Sequence, residues 1–194
     1  RFGERSEDTG IEFGFTPSAF TFQLGIFNGT PGAGLSGVTA AKTKALALRG
    51  DASFRISNVN LNVGGSLYNY PDPSGTTTYY GGFGSVTILE NLTLHSEVDI
   101  LTKTLPGTDI TGMILWNELN FMVVPGIDLK VGYEFYDPDT DQKNGAFGRI
   151  TLGAELFLLS GLEVRPLYRI NLEDLPSGSA PNNDEIQLMF HFYL

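Results

Sequence analysis

With 194 residues, the chain is one domain or part of one. Its 22 acidic and 12 basic residues give a net charge of −10, which argues against a nucleic-acid partner. The absence of cysteine excludes thiol nucleophiles, thiolate metal sites and disulfides, and no apolar run is long enough for a membrane-spanning helix.

The chain opens on Arg1, Phe2, Gly3, Glu4 and Arg5 without the pattern of a signal peptide, which reads as a mid-protein start. From there it alternates apolar and polar residues with the period of β-strands, broken by turn residues. Ile11, Phe13 and Phe15 alternate up to Pro17-Ser18, and Phe20, Phe22, Leu24 and Ile26 follow. A glycine-rich stretch runs from Asn28 to Lys42. Leu46, Leu48, Ala52 and Phe54 run to Ser57-Asn58, and Leu61, Val63 and Leu67 run to Pro71. Tyr80, Val86 and Ile88 lead to Glu90-Asn91; Leu92, Leu94, Val98 and Ile100 come next. Leu115, Leu119, Phe121 and Val123 reach Pro125-Gly126. The cleanest alternation follows, Ile127, Leu129, Val131, Tyr133 and Phe135. Ile150, Leu152, Ala154, Leu156 and Leu158 run to Ser160-Gly161. Leu162, Val164, Tyr168 and Ile170 form a tenth segment, where Pro166 deletes a ladder hydrogen bond and predicts a bulge. Ile186, Leu188, Phe190, Phe192 and Leu194 form an eleventh.

Short turns near Pro17, Ser57, Glu90, Pro125 and Ser160 alternate with longer polar loops at 28–43, 71–78, 103–109, 137–146 and 171–184. Short turns on one side, long loops on the other and strands of about nine to eleven residues are the arrangement of a transmembrane β-barrel. The expected fold is therefore all-β, an antiparallel up-and-down barrel occupying residues 1–194 as one domain. The competing reading is a soluble barrel or sandwich, with polar residues outside and apolar ones within.

Oriented from the last strand, Tyr68, Tyr70, Tyr79, Tyr80, Tyr133, Tyr136 and Tyr168 fall near the loop ends. Tyr193, Phe54, Phe121, Phe157 and Phe192 fall at the turn ends. Rings at two levels read as the aromatic girdles of a membrane protein. Bacterial barrels use even strand numbers, so an odd number of strands is expected upstream: one gives twelve, five gives sixteen. The final strand resembles the C-terminal signal read by the barrel-assembly machinery, carried by Phe190, Phe192 and Leu194, with Leu194 where the signal usually has Phe.

Two segments resemble the phosphate-selective porin family. The first is Gly10-Ile11-Glu12 leading into Phe20-Thr21-Phe22-Gln23-Leu24-Gly25-Ile26-Phe27-Asn28-Gly29. The second, after a loop, is Lys44-Ala45-Leu46-Ala47-Leu48-Arg49-Gly50. The rest matches in general pattern. The resemblance implies a sixteen-stranded trimeric channel with an inward arginine. The family's anion filter of clustered Arg and Lys does not carry over to so acidic a chain.

The polar side of the strands carries Glu12, Asp51, Glu97, Asp99, Glu118, Asp128, Glu134, Glu155 and Glu163, together with Arg49, Arg55, Lys130, Arg149, Arg165 and Arg169. Facing inward, these groups either line water or brace the wall by pairing. An acid excess around water favours cations. Of the two histidines, His95 lies near Glu97 and Asp99 and is counted among the pore-lining residues; His191 also faces inward. Neither belongs to a Ser or acid nucleophile motif, so no enzyme activity and no catalytic residue is expected. A metal at His95 and Glu97 would need a facing ligand. Asp137, Asp139 and Asp141 with Asn144 start like a calcium loop. Gln142 and Gly148 replace its glycine and bidentate glutamate, so no metal and no cofactor is assigned. Asn28-Gly29-Thr30 has the form of a glycosylation acceptor, without force in a bacterial barrel, and Gly29, Gly32, Gly34 and Gly37 lack the Lys and helix of a phosphate loop.

The expectation is thus a porin-like channel in the outer membrane of a diderm bacterium, passing small polar solutes or ions with a weak cation preference. Its partners would be membrane lipid, the assembly machinery, and either a homotrimer or a partner protein. The alternative is a barrel that sheathes or anchors a partner, such as a cytochrome conduit or a surface machine.

Overall fold

A computed structural model describes residues 9–28, 44–72, 75–173 and 183–193. They form one eleven-stranded antiparallel sheet in chain order. The strands are β1 (Gly10–Phe15), β2 (Phe20–Phe27), β3 (Ala45–Ile56), β4 (Val59–Asp72), β5 (Gly75–Ile88), β6 (Leu92–Leu105), β7 (Thr108–Val124), β8 (Ile127–Asp137), β9 (Phe147–Leu159), β10 (Leu162–Glu173) and β11 (Glu185–Phe192). The segments Arg1–Asp8, 29–43 and 174–182, and Leu194, which carry several sequence expectations, lie outside the described residues.

Among the described residues, each strand touches only its sequence neighbours, no second layer covers either face, and β1 does not meet β11. The sheet is open rather than closed into the expected barrel. In a meander an odd number leaves β1 and β11 running the same way, so the two edges cannot zip together antiparallel.

Register keeps the two faces separate across the whole sheet. Leu24, Leu48, Leu67, Tyr80 and Ile100 are successive cross-strand partners. So are Leu119, Val131, Leu152, Tyr168 and Ile186. A one-residue slip at any strand would drop charges into this apolar row, so the alternation fixes the pairing.

Burial runs opposite to that of a soluble sheet. On β11, Ile186 is 86% exposed and Phe192 73%, while the alternating Glu185, Gln187, Met189 and His191 are more shielded. Ala45, 1% exposed, is the one apolar residue fully buried among the described residues. Among the described residues there is one sheet and no dry layer between two sheets, unlike the competing sandwich reading.

The turns at one end are short, as expected, and this end is called the turn end below. Ser57-Asn58, Pro125-Gly126 and Ser160-Gly161 are two-residue links between paired positions. Proline presets φ at Pro125, and Gly126 supplies the φ of +90° that the next position needs. At the opposite, loop end two expected loops are instead strand. Asp72 pairs with Gly75, so the ladder enters 71–78 from both sides, and Leu105 pairs with Thr108 around Pro106-Gly107, so 103–109 is a tight hairpin. The cause is the β-branched threonines at 76–78, 102 and 104, which extend the ladder without any apolar alternation. β4, β5 and β6 therefore reach 14 residues and β7 reaches 17, longer than the expected span. The 137–146 connection is a loop, over 138–146. The bulge expected at Pro166 falls earlier. Pro166 pairs with Leu188 in an unbroken β10–β11 register, and the shift against β9 lies between Leu162 and Val164.

Candidate functional site

Strand parity places Glu12, Arg49, Asp51, Arg55, His95, Glu97, Asp99, Glu118, Asp128, Lys130, Glu134, Arg149, Glu155, Arg165 and Arg169 on one face, opposite the apolar row. Because the ladder sets neighbours about 4.8 Å apart, side chains on adjacent strands can reach one another. What they reach differs across the sheet.

On β7–β11 the charges meet in alternation. Glu118 lies 3.4 Å from Lys130, Lys130 2.7 Å from Glu155, and Glu155 3.2 Å from Arg165. Arg165 donates to Glu163, whose other oxygen lies 3.2 Å from His191 Nδ1. Five strands are thus crossed by one acid–base chain. Two further pairs flank it, Arg149 with Glu134 at 3.5 Å and Arg169 with Glu185 at 3.6 Å. Arg149 Nε also donates to Asn171 at 2.9 Å. Within the acid–base chain, Glu163 is wholly buried and accepts hydrogen bonds from Arg165 and the Tyr193 hydroxyl. A buried carboxylate needs such donors to offset lost hydration.

On β3–β6, Arg49, Asp51, Arg55 and His95 meet neutral partners. Arg49 sits 3.9 Å over the ring of Phe83, and Arg55 donates to the Ser57 carbonyl. Asp51 accepts from Asn62 at 3.0 Å. His95 lies beside Trp116, ring centroids 6.1 Å apart. Glu97 and Asp99 of β6, with Glu12 of β1 and Asp128 of β8, have no cation within ion-pair distance among the described residues. No group of three or more His, Asp or Glu side chains that could hold a metal occurs among the described residues. At Asp137–Asp141, two carboxylates cap backbone N–H groups of their own loop, Asp137 that of Asp139 and Asp139 that of Asp141.

The girdle expectation needs correcting by face. Tyr80, Tyr133 and Tyr168 share the apolar side, but Tyr68, Tyr70, Tyr79 and Tyr136 share the polar side, as does Tyr193 through its bond to Glu163. Tyr68, Tyr70 and Tyr79 form a near-parallel trio with centroids 5.5–6.3 Å apart, and Phe27 meets Tyr68 edge-on at 6.5 Å. Parity held this signal: Tyr68 and Tyr70 are even-numbered on the same strand as Asn60, Asn62 and Ser66. Phe83 and Trp116 likewise fall on the polar face and were missed because they are apolar.

Compared with known proteins, the chain matches no family model, and no curated protein matches it.

Proposed function

We propose that this chain is the wall of an outer-membrane β-barrel whose polar face lines a porin-like passage for small polar solutes or ions, with a weak cation preference. The carrying observation is the reversed burial. On β2 and β11 the apolar side chains stand exposed while the residues that alternate with them are more shielded, and on β7–β11 the ionisable groups of the other face pair with each other. Lipid is the solvent that makes such a face favourable, and a sheet curled with its charges inward gives this shielding. Further strands would join β1 and β11 to complete an even number, as the resemblance to phosphate-selective porins also implies. The cation preference rests on the acids without cationic neighbours, Glu12, Glu97, Asp99 and Asp128, set against Arg49 and Arg55. Outer-membrane lipid, the assembly machinery and a homotrimer are the partners this reading carries.

A barrel that sheathes a partner is the second reading. It is favoured by the β7–β11 chain, whose charges satisfy one another and leave few to hydrate. Planar-bilayer recording on the full-length protein decides. A channel gives discrete steps and a zero-current potential of cation-selective sign in a salt gradient. No insertion into vesicles sinks the membrane reading, and insertion without conductance sinks the channel.

A further inference from the structure

We propose that the Tyr68–Tyr70–Tyr79 trio is a stacking platform for a pyranose sugar at the loop end of the polar face. This rests on the reading that the polar face borders an aqueous passage. The three rings lie within 17–33° of parallel, at the corners of a triangle rather than in a column, and all remain partly exposed. A brace between strands needs one such pair. Three shingled faces make a surface wide enough for a sugar ring.

The chemistry beside the rings favours a sugar over a flat aromatic solute. The axial C–H groups of a pyranose carry partial positive charge and suit the negative face of a phenol ring, while its hydroxyls point sideways to polar groups. Those groups are present. On β5, Gly81 follows Tyr79 on the same face, and the space a side chain would fill there is taken by the Ser66 hydroxyl and the Asp99 carboxylate. Asp99 accepts hydroxyl donors and disfavours anionic aromatics. Two residues before Tyr79, and paired with Tyr70, Thr77 is 2% exposed and its hydroxyl has no hydrogen-bond partner. A buried hydroxyl without a partner costs stability, and a site that orders a sugar hydroxyl against it gives that group its bond.

The test is isothermal titration of maltohexaose into detergent-solubilised full-length protein. Binding is expected. The Tyr70→Ala/Tyr79→Ala pair should weaken it by about tenfold or more, while Tyr70→Phe/Tyr79→Phe, which keeps the ring faces, should stay within about threefold. Thr77→Val has the same shape and removes only the hydroxyl, so it should fold as well as the parent yet bind more weakly; a purely structural role predicts no change in binding. If the alanine pair does not fold, Thr77→Val and the phenylalanine pair carry the test. No heat with maltohexaose, unchanged affinity in the folded alanine pair or in Thr77→Val, or tighter binding of benzyl alcohol than of the sugar overturns the platform. The readout uses no conductance, so a silent bilayer leaves the platform standing, and absent sugar binding leaves the channel standing.

Discussion

The two halves of the polar face share one parity and one kind of sequence, yet they solve the charge problem differently. On β7–β11 every Lys and Arg of the strands meets a carboxylate, in a chain of contacts that runs from Glu118 to His191. On β3–β6 the arginines lie on a ring or a carbonyl, Glu97 pairs across the ladder with Phe83 and Trp116, and Asp99 pairs with Gly81 and Ile114. The paired half keeps its cations within ion pairs and still carries an excess of acids. The other half leaves Glu12, Glu97 and Asp99 without a cation within ion-pair distance among the described residues. Composition cannot make this distinction, since both halves contain acids, bases and tyrosines in similar order.

The largest expected effect tests what both halves share, the apolar row behind them. Val131→Arg puts a charge midway along β8 on a 49%-exposed apolar position. Against lipid it should cost about 2–4 kcal/mol, read as a lower urea midpoint for protein folded in vesicles. Against water it would cost almost nothing, and that result would remove the membrane from the comparison.

Next comes the contrast between cations. Lys130 is within ion-pair reach of both Glu118 and Glu155, and its side chain is 22% exposed. Lys130→Met leaves two carboxylates facing each other, at an expected cost of about 1–3 kcal/mol. Arg49→Met removes only a contact with Phe83 at an exposed position and should cost about 0.5–1 kcal/mol. Equal losses in the same urea titration would mean that the halves do not differ in this respect.

A smaller effect separates the halves by transport. Asp99→Asn should lower the cation-to-anion permeability ratio by a few-fold at most, since a unit charge across a wet passage is worth about 1 kcal/mol or less, and should leave the urea midpoint unchanged. Glu155→Gln removes one of the two carboxylates that each of Lys130 and Arg165 meets, so it should lower the midpoint. If Asp99→Asn destabilises as much as Glu155→Gln, the β6 acids are structural too.

The eleven strands and their two faces were legible in the sequence because period-two alternation survives any tertiary context that keeps one side wet and the other oily. The strand ends at 71–78 and 103–109 were not, because threonine ladders there carry polar groups on both faces and erase the alternation. The candidate acids and bases were legible as a set, but not their partners. Whether Lys130 reaches Glu155 or Asp128 depends on side-chain length and on a register shift between Met122 and Val124 that no local pattern announces. The aromatic trio was read by height along the strand when parity was the informative coordinate. Closure was legible only as an odd count, which the open edges β1 and β11 repeat in three dimensions.

The smallest effect extends the contrast to the turns. In the paired half, the turn-end links place Gly126 and Gly161 at φ of +90° and +84°, where a Cβ is strained. In the other half, the β5–β6 link places Leu89 and Glu90 at +56° and +63°, and Leu89 is 70% exposed with no packing to recover the strain. Leu89→Gly should therefore raise the urea midpoint by about 0.5–1 kcal/mol: the left-handed strain it removes exceeds the chain entropy that glycine adds to the unfolded state. Gly161→Ala should lower it by about 1 kcal/mol, with a Tyr193 carbonyl oxygen 2.9 Å from the new methyl adding to the strain. Opposite signs at equivalent turns would show that the β5–β6 hairpin is held by its ladder and not by its link. A loss in Leu89→Gly would instead give the leucine an apolar contact at the membrane boundary, and with it a role for this turn that the β7–β11 turns lack.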